Sequence, residues 1–387
     1  MFQEDTCEYK LNLGIGSLKN ESGDPWVFPT VKHAKKSIAA DEALDKEYLP
    51  SLGLESFTNA ATELLLGNDS QPMLEGRVFA VQAMSGTGGL RIAAELLCKH
   101  LGYKTCYVSN PGWKNHTLIF KSAGFVEVQS HRYWKESTKT VDIEGMLEDL
   151  RNARTGAIVI LHVCTHNPTG CDPTEEQWIQ IANVLKEKKL FPILDCVFQG
   201  MASGDLDKDV WPVRYFASVG FELFCCQSFH CFGLCNERVG NLVCIVKDPE
   251  VIKSIKSRLT SIVRTLYSAP PAHGARIITY ILNNPLLYEE WRECIRRIND
   301  RLVLQRRGLR EHLEKLETRG NWEHITRQKG MYLYTGLTKA QCTHMAEVYR
   351  IYMAHFGRMN LSEINATNID LVTRAIHDTV QDVPSEE

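Results

Sequence analysis

The chain has 387 residues, of which 44% are hydrophobic, and its 44 basic and 47 acidic side chains give a formal net charge of −3. This near balance excludes the overall basic excess typical of proteins that bind nucleic acid or anionic membranes, so we expect neither as a partner. The length is sufficient for a large hydrophobic core shared by two or three domains.

Residues 1–10 are polar and acidic, and they have the composition of neither a signal peptide nor a transit peptide. Apolar runs such as 157–163 are far shorter than the roughly 20 residues that span a bilayer. We therefore expect a cytoplasmic protein without a membrane partner. The 13 cysteines are scattered, without a Cys-x-x-Cys pair at zinc spacing, so we predict reduced, buried thiols and no metal.

Short apolar runs rich in β-branched residues alternate with amphipathic stretches through the middle of the chain. We predict strands at 77–84, 105–109, 157–164, 191–195, 223–229 and 241–246. Segments 90–101 and 175–188 carry apolar residues at helical spacing, and Asp172-Pro173-Thr174 is a start signal for the second. This alternation indicates an α/β fold with a mostly parallel sheet covered by helices.

The pattern changes after about residue 285. Segment 287–316 is predicted as a long charged helix with an apolar stripe, and 330–335 as a strand. We interpret this part as a second, smaller α+β domain. Because no repeat or Gly/Ser-rich linker separates the two parts, the boundary must lie in a helix or a short connection.

The sequence Ser85-Gly86-Thr87-Gly88 lies where the first predicted strand ends and a helix begins. Backbone N–H groups and the helix dipole converge there beside two hydroxyls, which suits a phosphate. Small residues also make tight strand-to-helix turns, so these residues alone leave both interpretations open. The glycine spacing is not G-x-G-x-x-G and no Walker lysine follows, which argues against a dinucleotide site and a P-loop.

Three further polar features follow predicted strands. The turn 166–170, with the sequence His-Asn-Pro-Thr-Gly, comes at the edge where open α/β sheets bind ligands. Asp195 ends an apolar strand, where it serves either as a charge that needs a partner or as a helix cap. Arg238 lies close to the same edge, and its guanidinium suits bidentate contact with phosphate or carboxylate.

The order of these features resembles the class I aspartate aminotransferases, which are fold-type I enzymes that depend on pyridoxal phosphate (PLP). The resemblance extends from about residue 11 to residue 380. It rests on family motifs at Glu47-Tyr48-Leu49-Pro50, Tyr133-Trp134, His166-Asn167-Pro168-Thr169-Gly170, Arg214-Tyr215-Phe216, Gly220-Phe221-Glu222, Pro270-Pro271 and Gly274-Ala275-Arg276-Ile277.

The resemblance implies a large PLP-binding domain at 26–297 and a small α+β domain formed by 1–25 and 298–387. It implies a cytoplasmic homodimer with shared active sites that converts L-aspartate and 2-oxoglutarate into oxaloacetate and L-glutamate. The expected ligands are therefore small dicarboxylic amino and oxo acids. A Rossmann oxidoreductase would need a dinucleotide fingerprint, which the turn at Ser85 does not supply. A scaffold protein without a ligand would not explain why Arg238, Arg264 and Arg358 are present together with Asp195.

The resemblance assigns cofactor-binding roles residue by residue. The expected phosphate ligands are Ser85, Gly86, Thr87, Ser228, Arg238 and, across the dimer, Tyr48. The expected ring contacts are Asp195 at the pyridinium nitrogen, His116 and His162 behind Asp195, Trp113 on the ring face and Asn167 at the 3′ oxygen.

The resemblance also implies a substrate pocket next to the cofactor. Arg358 would bind the α-carboxylate beside Gly16, with Trp113 and Asn167 lining the same pocket. Arg264 would reach the distal carboxylate from the neighbouring subunit. Two arginines for two carboxylates indicate a dicarboxylic amino acid as the substrate.

The chain departs from the family at the lysine that forms the Schiff base with PLP. The family sequence is Ser-Phe-Ser-Lys-Asn-Phe-Gly, whereas residues 228–233 are Ser-Phe-His-Cys-Phe-Gly, one residue shorter. His230 and Cys231 therefore stand where the lysine is expected, and no lysine occurs between Lys208 and Lys247. In addition, Phe198 replaces the tyrosine that donates to the 3′ oxygen.

The missing lysine would both hold the cofactor and move a proton, and general acid–base help alone contributes roughly 10²- to 10⁴-fold in rate. His230 has a suitable pKa class for moving a proton but cannot form the Schiff base. The sequence therefore assigns no residue a certain catalytic role. The alternative to an active aminotransferase is an impaired pseudoenzyme that binds PLP or pyridoxamine phosphate, together with dicarboxylates, without a covalent link.

Overall fold

The computed structural model describes residues 2–229 and 233–384. Seven strands form the central sheet: β2 (Val78–Met84), β3 (Thr105–Asn110), β4 (Glu127–Arg132), β7 (Ile158–His162), β8 (Phe191–Cys196), β9 (Leu223–Ser228) and β10 (Val239–Ile245). Their order is β2-β10-β9-β8-β7-β3-β4. Strand β10 runs antiparallel to both of its neighbours, and the other pairs are parallel.

The central strands are buried on both faces, which explains why their sequences are continuous apolar runs. In β7, Ile158 and Ile160 pack in one layer of the core, whereas Val159 and Leu161 pack in the other. The six predicted strands are confirmed to within two residues at each end. Sequence analysis missed β4 because this edge strand is largely exposed and polar, and it pairs only with β3.

Helices cover the sheet and form most of the remaining structure. They are α1 (Pro29–Ala40), α2 (Glu55–Leu66), α3 (Gln71–Leu74), α4 (Ser85–Glu95), α5 (Lys114–Ala123), α6 (Ile143–Asn152), α7 (Glu175–Glu187), α8 (Leu206–Asp209), α9 (Trp211–Ser218), α10 (Ile252–Leu266), α11 (Ala272–Leu282), α12 (Pro285–Lys315), α13 (His324–Arg327), α14 (Lys339–Tyr349) and α15 (Ile369–Asp382). The predicted helix at 175–188 is confirmed as α7, which begins with a capping box between Thr174 and Gln177. The predicted helix at 90–101 is α4 followed by a π-helical turn, Leu96–His100.

The C-terminal part is built around α12, which has 31 residues and confirms the long helix predicted at 287–316. The short strands outside the central sheet are β1 (Leu11–Asn12), β5 (Trp134–Lys135), β6 (Thr140–Val141), β11 (Tyr332–Tyr334), β12 (Ile351–Tyr352) and β13 (Arg358–Asn360). Strand β1 pairs with β12, and β11 pairs with β13. The first residues therefore join the C-terminal part, as expected for a small domain made from both chain ends, although the boundaries at 25/26 and 297/298 stay a prediction.

Within residues 2–229 and 233–384, no helix combines the length and the hydropathy needed to cross a membrane.

Candidate active site

The turn between β2 and α4 brings hydroxyls and backbone N–H groups together at the edge of the sheet. Ser85 has a φ of 62°, and its hydroxyl lies 2.7 Å from that of Ser228 at the end of β9. Both side chains are buried. Gly240 allows this close approach, because a Cβ there would lie 2.5 Å from the carbonyl carbon of Ser85. The start of α4 is therefore open to an anion.

Arg238 supplies positive charge beside this turn. It follows the 3₁₀ turn Cys235–Glu237 in a left-handed conformation, with a φ of 51°. One Nη atom donates to the carbonyl oxygen of Cys235 over 3.2 Å, which orients the side chain. Arg238 lines the same cleft as Ser85 and Thr87, so the predicted phosphate ligands from one chain converge, Tyr48 excepted.

Asp195 lies near the end of β8, and only 2% of its surface is exposed. His116 Nε2 donates to Asp195 Oδ2 over 2.8 Å, and His162 Nε2 lies 4.0 Å from the same oxygen. The other oxygen, Oδ1, is buried and has no hydrogen-bond partner among the described residues. The structure thus places one carboxylate oxygen in the cleft without a donor, which is costly unless a ligand provides one.

His162 and His166 are buried beside this carboxylate, and burial disfavours the charged form of both rings. Burial, together with the neighbouring His116, lowers the pKa of His162 to about 3. Burial likewise holds the pKa of His166 well below its usual range. The ligand atoms of His116, His162 and Asp195 lie within 4.8 Å of one another, the single group in the described part of the chain with atoms close enough to share a metal ion.

The cleft in front of Asp195 has a volume of about 160 Å³ and is open to solvent on one side. The described residues that line it are Ser85, Thr87, Trp113, His162, Asn167, Asp195, Val197, Phe198, Arg238 and Tyr332. Trp113 meets the His116 ring edge to face, with centroids 5.2 Å apart. Gly86 borders the cleft, since a Cβ on it would lie 3.6 Å from Asp195 Oδ1. The cleft therefore combines an aromatic side chain, a turn that carries hydroxyls beside an arginine, and a buried carboxylate.

The turn after β7 holds Asn167 at the far side of the cleft. The Asp172 carboxylate accepts hydrogen bonds from the backbone N–H groups of Thr165 and His166. The His166 ring is also hydrogen-bonded on both sides, to the hydroxyls of Thr169 and Ser109, each over 2.8 Å. These bonds fix the backbone on which Asn167 sits, and only 8% of Asn167 is exposed.

Arg358, the first residue of β13, reaches Asn167 from the C-terminal part of the chain. Its Nη1 donates to Asn167 Oδ1 over 3.0 Å, and its Nη2 donates to the carbonyl oxygen of Gly14 over 3.1 Å. Its Nε is buried and has no partner in the described part of the chain. The structure thus brings Arg358, Asn167 and the segment containing Gly16 together, as the sequence predicts.

Other predicted site residues lie elsewhere. Tyr48 is 91% exposed, and Arg264 is exposed on α10, so neither is among the described residues that line the cleft. His230 and Cys231 lie outside the described residues. Sequence analysis also missed Val197 and Tyr332 as cleft residues. The only signal for Tyr332 was its place in the predicted strand at 330–335, and this signal did not indicate which way the side chain points.

Comparison with known proteins agrees with this geometry. Residues 8–376 match the family model for class I and II aminotransferases. The chain is 46% identical over 386 residues to the cytoplasmic aspartate aminotransferase of Caenorhabditis elegans, with 100% of this chain and 95% of that protein covered. It is 45% identical over 385 residues to the cytoplasmic aspartate aminotransferase of Gallus gallus, with 98% and 93% covered.

Solved structures give the same result. The cytoplasmic aspartate aminotransferase of Saccharomyces cerevisiae superposes with a TM-score of 0.95 at 38% identity, covering 99% of this chain and 94% of that one. An aromatic-amino-acid aminotransferase from Burkholderia pseudomallei, covalently bound to PLP, superposes with a TM-score of 0.94 at 36% identity, covering 98% and 94%. The chain has the fold of the fold-type I PLP-dependent transferases, and it belongs to the class I and II aminotransferase family.

Proposed function

We propose that this protein is an aspartate aminotransferase of the cytoplasm, with PLP as its cofactor and L-aspartate and 2-oxoglutarate as its substrates. The observation that carries the proposal is the unpartnered Oδ1 of Asp195 in a cleft that is also lined by Arg238 and by Asn167, the residue to which Arg358 is hydrogen-bonded. The relatives named above support the choice of substrates.

The residues present fit the cofactor. Asp195 Oδ1 would accept a hydrogen bond from the protonated ring nitrogen of PLP, and the His116 bond to Oδ2 keeps the carboxylate in place. The paired hydroxyls of Ser85 and Ser228, together with Arg238, suit the phosphate at the N-terminus of α4. When bound, the cofactor carries the amino group and acts as an electron sink through its protonated ring.

The chain's own residues bind and orient the reactants. Asp195 would keep a proton on the ring nitrogen, because its carboxylate is buried and supported by His116. Trp113 lines the cleft, and its ring would pack against the face of the cofactor. Asn167 and Arg358, already joined by a hydrogen bond, bind the oxygen atoms on the opposite side. These residues would therefore orient the reactants and stabilise charge. None of them is assigned a role in proton transfer.

We include a homodimer in the proposal. Tyr48 and Arg264 are both exposed on the surface of one chain. A residue that reaches into the cleft of a neighbouring subunit, as the family resemblance implies for these two, has to be exposed in the single chain. In the dimer, Tyr48 of the partner subunit would reach the phosphate, and Arg264 of the partner subunit would bind the distal carboxylate. Small dicarboxylic amino and oxo acids are therefore the proposed ligands, held between a large domain at 26–297 and a small domain at 1–25 and 298–387.

A second candidate is favoured by the sequence at 228–233. No lysine occurs between Lys208 and Lys247, so the chain lacks the group that would hold PLP covalently and move the proton. Phe198, which lines the cleft, also lacks the hydroxyl expected there. This candidate is a pseudoenzyme of the same family that binds PLP or pyridoxamine phosphate and dicarboxylates reversibly, with little or no turnover.

One experiment tests the proposal and separates the two candidates. Cofactor-free protein is titrated with PLP while tryptophan fluorescence is recorded, then treated with borohydride, digested and analysed by mass spectrometry. Saturable binding that Asp195→Asn weakens supports the cleft as the cofactor site. A pyridoxyl-lysine recovered in stoichiometric amount, together with oxaloacetate formation from aspartate, favours the enzyme, whereas reversible binding without either favours the pseudoenzyme. Protein that binds no PLP contradicts both.

A further inference from the structure

Tyr332 connects the cleft with Arg358. Strands β11 and β13 are antiparallel, with Tyr332 opposite Asn360 and Tyr334 opposite Arg358. Residues diagonal to one another across two strands lie on the same face and within reach of an aromatic ring. The guanidinium carbon of Arg358 is accordingly 4.2 Å from the centre of the Tyr332 ring, and only 8% of Tyr332 is exposed.

Two further contacts fix the Tyr332 ring. It meets Phe198 edge to face, with centroids 5.8 Å apart and an interplanar angle of 87°. Its hydroxyl reaches the backbone of Gly16, where an added Cβ would lie 1.9 Å from the hydroxyl oxygen. Gly16 is not among the residues with positive φ, so the ring is the obstacle to a larger side chain there. The phenol therefore fills the space next to the N-terminal segment.

The Arg358 guanidinium is held by hydrogen bonds at its edge and by the Tyr332 ring at its face. Its bonds to Asn167 and to the carbonyl oxygen of Gly14 fix the position of the guanidinium edge. The ring beneath it fixes the tilt of the guanidinium plane. A carboxylate that binds an arginine through two parallel hydrogen bonds has to lie in that plane, so the tilt decides whether both bonds form.

We propose that Tyr332 is a positioning residue for the substrate carboxylate: its ring holds the Arg358 guanidinium in the plane that two-point carboxylate binding requires, and Gly16 leaves the room that the Tyr332 hydroxyl needs. This inference rests on the proposed function, because it assumes that Arg358 binds a dicarboxylate. It adds a residue that acts through Arg358 and separates the role of the ring from that of the hydroxyl.

The test uses PLP-loaded protein and maleate, a dicarboxylate that does not react. Calorimetry measures maleate affinity for the wild type, Tyr332→Leu, Tyr332→Phe, Gly16→Ala and the double variant with Gly16→Ala and Tyr332→Phe. PLP affinity, measured by fluorescence, is the internal control because the hydrogen bonds that hold Asp195 and Ser85 are made with His116 and Ser228, not with Tyr332. A general loss of structure would lower both affinities.

We expect Tyr332→Leu to weaken maleate binding by about 3- to 30-fold, the range expected for a lost cation–π contact. PLP affinity should not change, and Tyr332→Phe should bind maleate nearly as well as the wild type. Gly16→Ala alone should weaken maleate binding, because its Cβ displaces the hydroxyl and tilts the ring. Adding Tyr332→Phe should restore most of the binding, because it removes the oxygen 1.9 Å from that Cβ and leaves the nearest ring carbon 3.1 Å away, a contact that a shift of a few tenths of an ångström relieves.

Two results would overturn the inference while leaving the proposed function intact. One is equal maleate affinity in the wild type and Tyr332→Leu. The other is a Gly16→Ala defect that Tyr332→Phe does not relieve. A wild-type protein that binds PLP but no maleate would instead contradict the proposed function, and this inference with it.

Discussion

The two sets of residues proposed to contact the ligands differ in how far a single chain assembles them. Ser85, Asp195 and Asn167 follow strands of one sheet, and Arg358 is hydrogen-bonded to Asn167. Tyr48 and Arg264 are exposed on the surface. We call the first set the assembled residues and the second set the interface residues. The folding of one chain is enough to position the assembled residues. The interface residues would reach the ligands only in the proposed dimer.

This difference bears on how a member of the family can keep its ligand-binding residues and lose a catalytic residue. The assembled residues keep the family pattern, and their positions depend on the core. The segment 228–233 departs from the pattern, although it follows the same sheet. The shortened loop need not disturb Asp195 or Arg358, because their hydrogen bonds are made with His116, Asn167 and Gly14. Ser85 is hydrogen-bonded to the first residue of that segment, Ser228, which still belongs to β9.

The largest expected effect comes from restoring the missing chemistry to the assembled residues. Replacing His230 and Cys231 with Ser-Lys-Asn restores the amine and the loop length, and Phe198→Tyr restores the phenol. We expect transamination between aspartate and 2-oxoglutarate to rise by roughly 10²- to 10⁴-fold, the usual contribution of general acid–base catalysis. Initial rates in a coupled oxaloacetate assay measure the change.

Phe198→Tyr alone is the control for this repair, and it should leave the rate near that of the wild type. A repaired protein that folds, dimerises and binds PLP but stays inert would show that the assembled residues are themselves defective. In that case Ser17, Leu18 and Lys19 next to Gly16, where the family has Ala, Tyr and Arg, would be the next positions to exchange.

Removing a central assembled residue should have the next largest effect. Asp195→Ala deletes the carboxylate that faces the cleft and leaves His116 without its acceptor. Hydrogen bonds to charged groups contribute about 1.5 to 3 kcal/mol, so PLP should bind roughly 10- to 100-fold more weakly. Fluorescence titration measures the affinity, with the exposed Asp300→Asn as the matched control. Unchanged PLP affinity would mean that the cofactor site lies elsewhere.

A third experiment compares the two sets directly. Arg358→Ala and Arg264→Ala should each weaken maleate binding by about 10-fold, since each removes one charged donor. Because the two arginines of one site come from different chains, mixing the variants should restore full affinity in about one quarter of the sites, whereas neither variant alone should have any.

Calorimetry on mixed and unmixed protein gives the number of intact sites. The exposed Arg374→Ala is the control, and it should bind maleate like the wild type. If mixing restores nothing while both single variants are defective, the two arginines belong to the same chain's site. That outcome would remove Arg264 from the interface residues.

Most of the fold could be predicted because burial leaves a clear pattern in the sequence. The six apolar strands and α12 were identified by their runs and periodicity, whereas β4 was missed because an edge strand with exposed polar residues lacks that pattern. The order of the strands, and the antiparallel direction of β10, depend on long-range pairing that local sequence does not encode.

The site was predictable where it follows strands and less so where it depends on side-chain direction. Asp195 and the turn at 166–170 follow apolar runs, so their meeting at one sheet edge was expected. The unpartnered Oδ1 of Asp195 and the stacking of Tyr332 under Arg358 are distances between distant segments, which no spacing in the sequence reveals. Whether Tyr48 and Arg264 complete the site stays a prediction, because the structure of a single chain does not show how a second chain packs against it.

The smallest expected effect comes from Asp209, which is not one of the assembled residues. Asp209 is 5% exposed and accepts hydrogen bonds from Ser203 and from the backbone of Ala202, in the segment that follows Phe198. Burial raises the pKa of Asp209 to about 6, above its ordinary value of 3.8. The folded state therefore favours the protonated acid.

A raised pKa in the folded protein means that this group favours folding most below its ordinary pKa and that the benefit is lost as the pH rises through about 6. Asp209→Asn keeps the shape without the charge, so it should stabilise the protein by about 1 to 2 kcal/mol at pH 7.5 and have little effect near pH 4. Urea unfolding at the two pH values measures this, with Asp300→Asn as the control. Equal stabilisation at both pH values would show that charge at Asp209 does not matter. Stabilisation at pH 7.5 with unchanged PLP affinity would show that the assembled residues tolerate a change in the packing behind Phe198.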